Sequence, residues 1–286
     1  MEIPSELFKY RNFEKYTILS LLNKGLWLPK PSQLNDPFDV QFKLNDADVS
    51  FQQFKDSFVH FQSWYFDKYR KKINYNSFDL LFENNKPTYE LKSKVRLFQE
   101  YWNSNCENYG VFSLSETPTN STMWSHYADN HSGICIGYDP KKLFYQSPNN
   151  ALEWLKKVTY EDELNIIRNA YLLYAQIGMG SDSDAFNDFF RKMLSIKSKD
   201  WNYEQEWRFY FPNSGGQIFN LNIDAITSIN FGLKTSEETK AAVSHILRYH
   251  QKKTYFYQVK RAQNVIGIIR EPLIDKDDKY WFCSYE

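Results

Sequence analysis

Apolar residues recur along this chain at two spacings, and stretches of each kind alternate. Phe8 to Arg11 predicts a short strand. Residues 14–24 place Ile18, Leu21 and Leu22 on one helical face, with Gly25 as the natural stop. Leu26 to Leu28 predicts a second strand, ended by Pro29 and Pro31 and followed by the loop Asn35-Asp36-Pro37-Phe38-Asp39. Between 48 and 107 the period becomes helical: Phe51, Phe54, Phe58 and Phe61, then Val95, Phe98 and Trp102, separated by Asn84-Asn85-Lys86-Pro87. Strands at 109–114 and 132–138 flank a short helix at 121–128. Residues 182–198 read as an amphipathic helix carrying Phe186, Phe189, Phe190, Met193 and Leu194 on one face. The last part is strand-rich, at 206–211, 217–221, 226–231, 254–259 and 264–269, with one helix at about 235–248. No repeat and no linker interrupts the pattern. It predicts an α+β fold in one domain, 1–286, with a mixed or antiparallel sheet core and a helical insertion at about 41–107.

Composition changes this picture in three ways. Aromatic residues are 18% of the chain, so rings fill much of the core, and Tyr and Trp bring polar tips into it. Lys plus Arg equals Asp plus Glu, 35 each, which argues against holding nucleic acid through the overall field. The cysteines, Cys106, Cys135 and Cys283, are odd in number and form no paired motif, so no disulfide framework is indicated. The opening MEIPSELFKYR has no apolar leader, and no apolar run is long enough to span a bilayer. The expected setting is the cytoplasm, with no membrane partner.

The strongest chemical signal is Trp201-Asn202-Tyr203-Glu204-Gln205-Glu206-Trp207-Arg208-Phe209-Tyr210-Phe211. If 204–211 is extended, Glu204, Glu206, Arg208 and Tyr210 share one face, and Gln205, Trp207, Phe209 and Phe211 share the other. Carboxylates two residues apart on a strand sit roughly 6–7 Å apart. That suits one carboxylate stabilising a sugar cation while the other orients an attacking group. Arg208 would keep a neighbouring carboxylate ionised. The plain alternative is a cross-strand ion-pair ladder, worth little at a surface.

Three weaker groups follow. Asp36 and Asp39 flank Pro37-Phe38, either as pocket carboxylates or as the side chains that close a turn. Ser113 and Ser115 face the same way at a strand end, to position a ribose or amide or to cap the next helix. Met123-Trp124-Ser125-His126-Tyr127 with His131 and Cys135 lacks a zinc spacing, which leaves His126 as a pocket hydrogen-bond donor. No Walker loop, GxGxxG or GxSxG is present.

Taken in order, Phe8-Lys9-Tyr10-Arg11, Leu26-Trp27-Leu28, Asn35-Asp36-Pro37-Phe38-Asp39, Phe112-Ser113-Leu114-Ser115, Met123 to Tyr127, Gly133-Ile134-Cys135 and Trp201 to Arg208 resemble the bacterial domain-of-unknown-function family 2971. The set spans roughly residues 8–212. More distantly, the order of motifs is similar to ADP-ribosyltransferases of the arginine, serine and glutamate class. That resemblance implies an ADP-ribosyltransferase-like fold and NAD as substrate, with a transferase or NAD glycohydrolase activity and no metal. Arg11 would then handle the NAD phosphates or ribose, and Ser113 and Ser115 would match the serine element. Glu206 would hold the nicotinamide ribose and stabilise its cation, and Glu204 would orient an acceptor, protein or nucleic acid. Here the serine element reads Ser-Leu-Ser, without a central threonine. Two other classes stay open: a non-catalytic ligand-binding or sensor module, and a metal-dependent nuclease using Asp36, Asp39, Glu204 and Glu206.

Overall fold

Strand β1 (Leu7–Arg11) sits in the middle of the main sheet, although its partners come more than a hundred residues later. The computed structural model describes residues 2–40, 82–144, 151–161, 194–273 and Tyr280, with Ser50 and part of 51–70. In chain order, α1 (Lys15–Leu22) and β2 (Gly25–Leu28) follow β1, and β3 (Phe82–Glu83), β4 (Lys86–Pro87) and α2 (Tyr89–Cys106) come next. Then come β5 (Gly110–Ser115), α3 (Ser121–Tyr127), β6 (Ile134–Tyr138), β7 (Leu155–Lys157), β8 (Thr159–Tyr160) and β9 (Ile196–Lys197). The chain closes with β10 (Glu206–Phe211), β11 (Gln217–Asn220), β12 (Ile226–Phe231), α4 (Glu237–Tyr249), β13 (Tyr255–Arg261) and β14 (Ile268–Pro272). These residues form two compact units, one of 1–29, 110–158 and 200–286, the other of 30–109 and 159–199.

The first unit carries an eight-stranded mixed sheet in the order β14-β13-β12-β6-β1-β5-β10-β7. Every pairing is antiparallel except β12 with β13, which α4 connects as a parallel crossover. Strand alternation sorts the side chains. One face buries Leu7, Phe112, Leu114, Ile136, Trp207, Phe209 and Phe231 in the large core, which α4 covers with Val243 and Leu247. The other face buries Phe8, Tyr10, Cys135 and Val259 against Met123 and Trp124 of α3. This second face also takes Ser113, Ser115, Glu206 and Arg208, because Phe8 lies opposite Ser115, and Ser115 opposite Glu206. The structure is therefore α+β with a mixed sheet.

In the second unit Asn84 and Asn85 both have positive φ, 50° and 62°, the geometry of a tight hairpin turn between β3 and β4. Thr88 caps α2 by accepting from the Leu91 amide, and α2 buries Leu91, Trp102 and Cys106. Strands β8 and β9 pair in parallel.

Three boundaries differ from the sequence reading. Helix α1 stops at Leu22, and the left-handed turn falls on Lys24 (φ 50°), while Gly25 already belongs to β2. Glu204 closes a 3₁₀ turn (Lys199–Glu204), and Gln205 has φ 44°, so β10 begins only at Glu206. The last strand starts at Ile268. Of the helix expected over 182–198, Ile196–Lys197 is strand, and 182–193 lie outside the described residues. Phe54, Phe58 and Phe61 of the expected insertion also lie outside them.

Candidate functional site

Strand β10 presents Trp207, Phe209 and Phe211 to the core and Glu206 and Arg208 to the opposite face. Arg208 Nε donates to Glu206 Oε1 at 2.6 Å, and its terminal nitrogen donates to Oε2 at 2.7 Å. Both side chains are buried. A two-pronged guanidinium contact fixes a carboxylate in position and favours its anionic form.

Glu204 reaches the same neighbourhood by a different route. The left-handed Gln205 breaks the strand alternation, so Glu204 does not share the β10 face by register; the expectation of a continuous extended 204–211 segment fails there. Three anchors pin the turn instead. Ser115 Oγ donates to the Glu204 carbonyl at 2.7 Å, Asn120 Nδ2 donates to the Tyr203 carbonyl at 2.8 Å, and the Glu116 amide donates to the Gln205 carbonyl at 3.1 Å. Asn120 is also the N-cap of α3, accepting from the Met123 amide. One residue thus ties the helix to the turn.

From α3, the Tyr127 hydroxyl donates to Glu204 Oε1 at 2.6 Å. Burial, and then the Glu204 carboxylate beside it, push the Tyr127 phenol far up, so it keeps its proton. His126, next in line, is exposed and approaches the Tyr203 hydroxyl at 3.5 Å. The Ser113 side chain is partly exposed on the same sheet face as Arg208, its opposite residue on β10. Farther along this face Glu6 accepts from the Thr227 and Ser228 hydroxyls, 2.6 Å each, and meets Arg270 at 3.5 Å. Gly137 leaves the room: a Cβ there would come within 2.2 Å of Glu6 Oε1.

Arg11 is elsewhere. It stands opposite Ile134 and emerges on the large-core face, as does Lys9 opposite Ile136. The register puts Arg11 and Glu206 on opposite faces of the sheet. Lys9 was overlooked as a candidate. Strand β1 pairs with β5 at a single position, and the Lys9 ammonium enters beside it, donating to the Ser113 carbonyl at 2.7 Å. Burial first, and the Arg11 charge next, push Lys9 down to about 7, against the pull of the Glu206 and Glu204 carboxylates.

Asp36 and Asp39 belong to the second unit. Asp36 accepts from the Phe38 amide at 2.9 Å and its carbonyl accepts from the Asp39 amide, which makes it a turn residue. Asp39 pairs with Lys197 at 3.6 Å, both buried. Among the described residues no three His, Cys, Asp or Glu side chains converge in a group that could hold a metal ion. No described helix is long and apolar enough to cross a membrane. Cys135 is buried in β6, and burial pushes its thiol well up, which disfavours a thiolate nucleophile.

Residues 123–209 match the model of a family described as a protein of unknown function, DUF2971. This segment resembles that family. Its two ends meet in space: Tyr127 near one end hydrogen-bonds Glu204 near the other, and Glu206 and Arg208 lie inside it. Neither the curated proteins nor the solved structures yield a match.

Tyr127, Lys9, Glu6 and Arg270 escaped sequence reasoning. Tyr127 stood inside a highlighted motif, and a phenol beside a histidine was a usable signal. The Glu6–Arg270 pair depends on sheet register and left no local mark.

Proposed function

We propose that the protein acts at the N-glycosidic bond of NAD or a related nucleotide, as an ADP-ribosyltransferase or NAD glycohydrolase, with Glu206 and Glu204 as its carboxylates. The observation that carries the reading is the anchoring of the two. Arg208 grips both oxygens of Glu206, and the protonated Tyr127 donates to Oε1 of Glu204. Glu206, kept anionic and rigid, stabilises the positive charge that develops on the ribose as nicotinamide leaves. Glu204 and Tyr127 orient the acceptor or water.

The adjacency of β1, β5 and β10 supports the reading, because it brings the serine-bearing and glutamate-bearing strands side by side. Ser113 is then available to the ribose. Arg11, on the opposite face, is left out of the proposed centre. The competing reading as a nuclease draws on Asp36 and Asp39, but one closes a turn and the other pairs with Lys197.

The test is incubation of purified protein with NAD, following nicotinamide release with and without cell extract as acceptor. Release that falls by about 10²–10⁴ in Glu206→Gln supports the reading. Absence of nicotinamide release together with no thermal stabilisation by millimolar NAD would sink it and leave a non-catalytic binding module.

A further inference from the structure

Beyond the Glu204 centre, a second feature of the first unit has the chemistry of a binding site. Strands β12 and β13 are the one parallel pair of the main sheet, and α4 connects them. The carboxyl ends of both strands and the start of α4 therefore open on one place, an arrangement that recurrently receives ligands in parallel sheets. A cavity of about 560 Å³ lies there, lined by Leu233, Lys234, Lys240, Gln258, Lys260 and Arg261 among others.

Its charge is one-sided. Among the described residues four cations and no carboxylate line it, in a chain whose charges otherwise balance at 35 each. Lys240 is matched by Glu237 at 2.8 Å and Lys260 by Glu271 at 2.6 Å. The backbones of Lys234 and Arg261 are bonded, to the His131 carbonyl and within the β13–β14 ladder, but their side chains have no ion-pair or hydrogen-bond partner among the described residues. Two like charges facing one cavity, with no counter-charge among the described residues, raise the local potential for an anion. The acids at the start of α4 do little to offset this, since Glu237 is already engaged by Lys240 and the Tyr280 hydroxyl.

Gln258 adds an independent mark. Its Nε2 donates towards the carbonyls of Phe231, Gly232 and Val259, at 3.3, 2.8 and 3.1 Å. Three acceptors fix which end of the amide points where. Oε1 is left buried with no partner. A buried acceptor without a donor is costly, so such groups call for a missing partner.

We infer that this cavity binds a phosphorylated small molecule of nucleotide size, its phosphate between Lys234 and Arg261 and a hydroxyl or amine donor towards Gln258. The site is separate from the Glu204–Glu206 centre and does not depend on what that centre does.

Titration calorimetry with AMP, and with adenosine as the uncharged control, tests it on the full chain. AMP should bind saturably and adenosine should not. The double variant Lys234→Gln, Arg261→Gln, which alters two exposed side chains, should weaken AMP binding by about tenfold or more. Glu206→Gln should leave it unchanged. Three outcomes would overturn the inference: AMP failing to bind up to about 10 mM, where even a Kd of 1 mM would show clearly; AMP binding that survives the double variant; or adenosine binding as tightly as AMP. Loss of AMP binding in Glu206→Gln would instead place the nucleotide at the other centre.

Discussion

The Tyr127 hydroxyl stands 2.6 Å from Glu204 Oε1, across 77 residues of sequence. A hydrogen bond to a charged group contributes about 1.5–3 kcal/mol, more than a neutral one. Tyr127→Phe removes only the hydroxyl. It should cost about that much stability in urea unfolding and lower nicotinamide release by about tenfold or more. Stability lost without any change in turnover would make Tyr127 purely structural and weaken the assignment of Glu204.

Glu206 and Arg208 form a buried pair, and such pairs are punished when half removed. Glu206→Gln and Arg208→Met should each destabilise by about 3–5 kcal/mol if the pair is chiefly structural. At a working site, where strain is retained for function, Glu206→Gln should instead cost little stability and nearly all the turnover. Measuring both quantities on the same preparation separates the cases. A double variant as stable as the parent would show how strongly the two side chains are coupled.

Lys9 makes stability depend on pH in a direction unlike that of a carboxylate. Its folded value, about 7, lies below the usual 10.5. Below pH 7 both folded and unfolded chains hold the proton, and the full penalty stands. Between about 7 and 10.5 the unfolded chain holds a proton that the folded one has lost. Its contribution to stability therefore rises with pH there, by at most about 1.4 kcal/mol per unit. Lys9→Met should remove that slope. Parallel stability curves for parent and variant between pH 7 and 10 would refute the shift.

Gly133 is packed against the end of β1. A Cβ there would lie 2.2 Å from the Arg11 carbonyl oxygen and 3.0 Å from that of Ala128, both backbone atoms with little freedom to move. Gly133→Ala should destabilise by about 2–3 kcal/mol or more, read as a lower urea midpoint with an unchanged slope. Gly267→Ala, with nothing within 4 Å of the added carbon, is the matched control.

Local pattern was enough to find most of the strands of the main sheet. Alternation in β10 and β5 and the helical period of α4 are properties of neighbouring residues, and each element came within a few positions. The failures occurred where the chain leaves a regular period. Nothing in Glu204-Gln205-Glu206 announces that Gln205 turns left-handed, and that single dihedral takes Glu204 off the strand. The face on which Arg11 emerges was equally hidden. It follows from Phe8 meeting Ser115 rather than Lys9 meeting it, a choice made by partners a hundred residues away. The two buried carboxylates and their arginine were visible as residue types; the phenol that holds one of them was visible only as a neighbour of His126.

The central place of β1 has a consequence during synthesis. Its two neighbours, β5 and β6, lie more than a hundred residues downstream. At about 5–20 residues per second, a ribosome takes roughly 5–20 s to deliver them. Through that interval Leu7, Phe8 and Tyr10 hang from the nascent chain as a bare strand with two open edges. Expression yield should therefore depend on holdase chaperones that cover this segment, and a polar change at Phe8 should trade solubility of the newborn chain against packing of the finished sheet.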